Sequence, residues 1–82
     1  KPVERELAMV KVAGTGDARV EALRLSEAFD AQVLDAETGH FIFEVRGEPH
    51  NTDQFIQVMA PLVLVEVCRT GVAAMNRGAA GM

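Results

Sequence analysis

Stretches of apolar residues with strand length or strand alternation occur three times along the chain, and helical spacing occurs twice. Leu7-Ala8-Met9-Val10-Lys11-Val12-Ala13 reads as a strand stopped by Gly14-Thr15-Gly16. From Asp17 to about Asp30, Ala18, Ala22, Leu25 and Phe29 fall on one face at 100° per residue, which predicts a helix with Asp17 as its cap. Val20 and Leu23 widen that apolar face, while Arg19, Glu21, Arg24 and Glu27 lie off it. Gln32 to Asp35 is a short strand, Glu37-Thr38-Gly39 a turn, and His40 to Arg46 the returning strand. Gly47-Glu48-Pro49-His50 breaks the chain. Asn51 is then a good cap for a second helix over Thr52 to Ala60, with Phe55, Ile56 and Met59 turned inward and Pro61 ending it. Val63 to Arg69 forms the last strand, and from Gly71 onward the chain is rich in Gly and Ala and reads as loose.

The order strand, helix, strand, strand, helix, strand is the ferredoxin-like βαββαβ plan: an α+β domain, ACT-like, with one four-stranded antiparallel sheet and both helices on one face. The expected organisation is residues 1–6 as the end of a linker, 7–71 as the folded domain and 72–82 as a tail. Strict alternation assigns Ala8, Val10, Val12, Phe41, Phe43, Val45, Val63, Val65 and Val67 to the helix-covered face. The other face then carries Leu7, Met9, Lys11, Ile42, Glu44, Leu64, Glu66 and Cys68. Leu7, Met9, Ile42 and Leu64 make that open face half apolar, and a patch of this kind points to a partner. Self-association of the domain is expected on the same ground.

Composition narrows the function by exclusion. With 82 residues, 49% of them hydrophobic, the chain is one small domain with one modest core. Eight basic residues face twelve acidic ones, for a net charge of −4, and the basic residues are dispersed. That excludes a phosphate-tracking surface, and four Phe with no Trp or Tyr exclude a base-stacking platform, so no nucleic acid is expected as a partner. No apolar run reaches the roughly 20 residues of a membrane span, and the charged start does not read as a signal peptide, so none is expected. The single Cys68 forbids an internal disulfide, so a reducing, cytoplasmic setting is expected. The first residue is lysine, and a piece of a longer polypeptide is expected.

Candidate chemistry is sparse. His40 at a strand start, His50 in a turn and Cys68 on a strand have no metal-ligand spacing between them. Cys68 reads better as an apolar strand residue than as a nucleophile. Gly14-Thr15-Gly16 lacks the third glycine and the lysine of phosphate loops, and serves a turn needing positive φ. No acid, base and pocket converge, so no catalysis, metal or cofactor is expected in this chain.

Three stretches carry a family resemblance: Glu4-Arg5-Glu6-Leu7 with Val10-Lys11-Val12; Phe55-Ile56-x-x-Met59-x-Pro61; and Glu66-Val67-x-Arg69-Thr70-Gly71-x-x-Ala74-Met75-x-Arg77-Gly78. Together they resemble the C-terminal domain of the regulatory (small) subunit of acetohydroxyacid synthase, also called acetolactate synthase. The Arg-Thr-Gly and Met-x-Arg-Gly tail is the most specific part, and Val63 departs from a glycine common in the family.

The resemblance implies a non-catalytic regulatory domain of valine, leucine and isoleucine biosynthesis. Such a domain follows an ACT domain that holds the branched-chain amino acid, and its subunit binds the catalytic large subunit, activates it and couples it to feedback inhibition by valine. It also implies that thiamine diphosphate, Mg²⁺ and FAD reside on the catalytic subunit. Leu7, Met9, Ile42, Leu64, Arg69, Thr70, Met75 and Arg77 are the candidate interface residues, toward the large subunit or toward a second copy in a homodimer or higher oligomer. The competing classes are a small-ligand or metal sensor domain of a transcriptional regulator and a small stand-alone enzyme using Cys68 or a histidine.

Overall fold

A computed structural model describes residues 2–79, so Lys1 of the expected linker and residues 80–82 of the expected tail lie outside the description. The elements are β1 (Val3–Ala13), α1 (Asp17–Ala28), β2 (Gln32–Glu37), β3 (His40–Gly47), α2 (Pro49–Met59), β4 (Val63–Arg69) and β5 (Ala73–Met75). The main sheet has the order β2-β3-β1-β4 with every neighbouring pair antiparallel, as the ferredoxin-like plan requires. β1 and β3 run in regular register from Glu6 opposite Gly47 to Ala13 opposite His40.

That register decides the core. Ala8, Val10 and Val12 lie beside Val45, Phe43 and Phe41, and all six are buried with Ala22, Phe55 and Met59 of the two helices. The rings interlock: Phe43 meets Phe55 edge-on at 6.1 Å between centroids, and Phe55 meets Phe29 at 5.4 Å. Leu25 and Phe29 pack on this cluster from α1, as the helical spacing predicts, but Val20 is 66% exposed, so the wider apolar face is not covered. Arg19, expected on the solvated side, lies 4.1 Å above the Phe41 ring and donates to the Glu37 carbonyl at 2.9 Å. It thereby ties α1 to the β2–β3 turn through a cation–π contact and a hydrogen bond.

Several local expectations are corrected. Gly16, with φ 59°, occupies the N-cap position of α1; Asp17 is the first helical residue, where its charge meets the helix dipole without a capping bond. α2 begins at Pro49, not Thr52. Proline suits the first turn because the missing N–H is unpaired there in any case, so Pro49 opens the helix instead of breaking the chain. The Thr52 hydroxyl is then fully buried with no hydrogen-bond partner among the described residues.

The largest differences are at the two ends. β1 begins at Val3, before the strand expected at Leu7, and Ala73–Met75 of the expected loose tail pairs with it as β5, from Val3 opposite Met75 to Arg5 opposite Ala73. The Gly/Ala composition gives this segment no order of its own; the overhanging end of β1 supplies the ladder that orders it. This two-stranded arm lengthens the molecule to 51 × 18 × 17 Å. The Cα radius of gyration is 14.6 Å, against about 12 Å for a compact chain of this length.

Candidate interaction surface

Both helices cover one face of the sheet, and no described element covers the other. Along β1 the open face carries Leu7, Met9 and Lys11, and along β3 it carries Ile42 and Glu44, as alternation predicts. β4 departs from it. Val67 lies opposite Val10 and Glu66 opposite Lys11, but the next pair is Leu64 with Val12, leaving Val65 as an extra residue in a bulge. One extra residue reverses the phase of every side chain beyond it. Leu64 therefore packs against the core from the helix side, while Val63 and Val65, expected inside, are 61% and 51% exposed. Leu64 is withdrawn from the candidate interface, and Val63 and Val65 belong to the outer surface in its place. No feature of β4 alone announces the bulge; three valines in alternation suggest the opposite.

The open face is amphipathic. A shallow depression of about 140 Å³ is lined by Met9, Lys11, Ile42, Glu66 and Cys68. A second, of about 320 Å³, shares Lys11 and Ile42 with it and is walled by Val65, Asp35, Glu37 and His40. Lys11 reaches Glu66 at 3.5 Å and Arg46 reaches Glu44 at 3.3 Å. Asp35 and Glu37 form no ion pair among the described residues. Met9 is 42% exposed and Cys68 is exposed as a free thiol. No group of three or more His, Cys, Asp and Glu side chains among the described residues could hold a metal ion. No helix among them is long and apolar enough to cross a membrane.

The Arg-Thr-Gly and Met-x-Arg-Gly motif divides into two parts. Arg69 lies opposite Ala8 and so points to the helix side. Its Nε donates to the buried Glu6 carboxylate at 3.0 Å, Nη2 pairs with the same oxygen, and Nη1 donates to Asp53 of α2 at 2.7 Å. The hydrogen bond to Glu6, then that to Asp53, raises the Arg69 pKa further above its ordinary value. Arg69 thus pins β1, β4 and α2 together at one end of the sheet, an internal duty that its surface-like sequence context does not reveal. Thr70 N–H donates to the Leu7 carbonyl at 3.0 Å, and Thr70 Oγ1 accepts from the Leu7 N–H at 3.1 Å. The side chain replaces a backbone acceptor where the β1–β4 ladder ends. Gly71 follows with φ 83°, a value that favours glycine, and the chain turns into β5. Met75 is 77% exposed at the end of the arm, beside Val3, and Arg77 follows it on the surface.

Comparison with known proteins agrees with this architecture. The family model described as "Small subunit of acetolactate synthase" matches residues 5–78. The acetolactate synthase small subunit of Aquifex aeolicus is 38% identical over 76 residues, covering 92% of this chain and 40% of the relative. That of Bacillus subtilis is 34% identical, covering 93% and 44%. The crystal structure of the Thermotoga maritima small subunit superimposes with a TM-score of 0.87 at 33% identity, over 96% of this chain and 48% of that one. The chain spans about half the length of the relatives it matches. With the family model running from β1 through the Met-x-Arg-Gly motif and the fold shared with a solved small subunit, the chain belongs to the acetolactate synthase small-subunit family.

Proposed function

We propose that this domain is the non-catalytic, partner-binding part of an acetolactate synthase small subunit, which activates the catalytic large subunit and couples it to feedback inhibition by a branched-chain amino acid, valine in the first instance. The observation that supports this reading is the open sheet face. One side of the sheet is sealed by α1 and α2 over a fully buried core, and the other leaves Met9, Val63 and Val65 exposed. An exposed apolar sheet face of this kind is a surface that a subunit buries against a partner. The domain itself holds neither the effector nor thiamine diphosphate, Mg²⁺ or FAD; these belong to other parts of the assembly.

The test is reconstitution of acetolactate formation from catalytic subunit and full-length small subunit, with and without this domain. Loss of activation on removing the domain is the expected result. Full activation and full valine sensitivity without it would refute the reading.

A further inference from the structure

The open face differs in charge from one end to the other. The strand pairings set Met9 and Glu44 side by side in its middle row. On one side of that row come Ile42 with Asp35, then Glu37. On the other come Leu7 with Arg46, then Arg5 on the overhang of β1. Glu4 and Glu6 alternate to the opposite side of the strand, so among the described residues the Arg5 end carries no carboxylate on this face. Lys11 and Glu66 cancel as an ion pair at 3.5 Å, which leaves Asp35 and Glu37 as the acidic end.

This layout is self-complementary. Leu7 and Ile42 lie equally far from the middle row and one strand apart, and so do Arg46 and Asp35. Arg5 and Glu37 lie two rows out and two strands apart, in the same direction. One two-fold axis in the plane of contact, passing beside Met9, therefore turns the basic end of one copy onto the acidic end of another. It brings Leu7 to Ile42, Arg46 to Asp35 and Arg5 to Glu37, each pair twice. Glu44 meets its own mate near the axis, where the Arg46 that each copy holds at 3.3 Å offsets the repulsion. A two-fold axis along the strands stacks the acidic ends on each other instead, and like charges across an interface are penalised.

We propose that the open face is buried against the same face of a second copy of this chain, with β1 of one copy running against β1 of the other. This takes from the reading above only that a partner covers the face, and it names that partner. Sheets stacked in this way lie about 10 Å apart and enclose Leu7, Met9 and Ile42 between them.

The experiment uses the full-length small subunit. Met9→Cys, with Cys68→Ser and no other cysteine in the chain, should be joined to its own mate by a short bis-maleimide, because a residue beside a two-fold axis faces itself. Val20→Cys, exposed on α1 of the covered side, should not. Arg5→Glu and Glu37→Arg each set like charges together twice, so each should lower the Met9→Cys yield at least about fivefold at low salt. The two together restore opposite charges and should restore the yield. All these positions are exposed, so far-UV circular dichroism of each variant should match wild type. No cross-link at Met9→Cys, or no recovery in the double exchange, overturns the proposal. If Met9→Cys stays uncross-linked while Arg5→Glu weakens binding to the catalytic subunit, the face belongs to that subunit: the proposal falls and the proposed function stands. If the double exchange restores the cross-link but the wild-type subunit activates no catalytic subunit, the proposed function falls and the self-interface stands.

Discussion

Leu64→Ala should destabilise the domain by about 2 kcal/mol, and Val65→Ala by no more than about 0.8 kcal/mol. The two residues are neighbours on one strand, and only the bulge in β4 sets this order. Leu64→Ala removes three carbons, worth roughly 2.4 kcal/mol if fully buried at about 0.8 kcal/mol per methylene. Leu64 is half-buried against the core beside Val12, so the transfer contribution is smaller, and the gap left in the packing partly restores it. Val65→Ala removes two carbons from a side chain that is 51% exposed, which halves a contribution of roughly 1.6 kcal/mol. Urea unfolding followed by far-UV circular dichroism resolves the difference. At a slope of about 1 kcal/mol per molar urea for so small a chain, the midpoints should fall by about 2 M and by at most about 0.8 M. Strict alternation along β4 predicts the reverse order. A Val65→Ala cost equal to or greater than that of Leu64→Ala would remove the bulge from the account, and with it the assignment of Val65 to the open face.

Thr52→Val should stabilise the domain by about 1 kcal/mol, because it replaces a fully buried hydroxyl that lacks a partner with a methyl of similar size; a loss in thermal unfolding would show that the hydroxyl is satisfied. Arg69→Met should lower the melting temperature by stranding the buried Glu6 carboxylate, and Asp53→Asn should lower it less, since Asp53 is exposed; equal effects would contradict the division of roles. Truncation after Gly71 should leave the core unfolding transition nearly unchanged while the Val3 and Arg5 amides lose hydrogen-exchange protection, because β5 pairs with the overhang of β1; unfolding of the truncated chain would make the arm part of the core. Titration of this chain alone with millimolar valine should give no saturable heat, and sub-millimolar binding would place the effector site in this domain.

Much of the architecture is written locally in the chain. The period of two in Leu7–Ala13 and His40–Arg46 assigns Val10, Val12, Phe41, Phe43 and Val45 to the core, because each side chain alternates across the pleat whatever its neighbours do. The helical spacing of Ala22, Leu25 and Phe29 and of Phe55 and Met59 likewise selects the faces that meet that core. What the chain could not announce depends on residues far apart. The phase of β4 turns on how it registers against β1, and a bulge belongs to a pair of strands and not to either one. The order of Ala73–Met75 comes from the ladder with Val3–Arg5, without which a Gly/Ala-rich segment has nothing to offset its entropy. The duty of Arg69 is set by Glu6 and Asp53, which only the folded sheet and α2 bring to it. Local pattern thus determined which residues lie inside the first and third strands and both helices, while the surface offered to a partner was decided by tertiary pairing, since one residue of register separates a core leucine from an exposed valine.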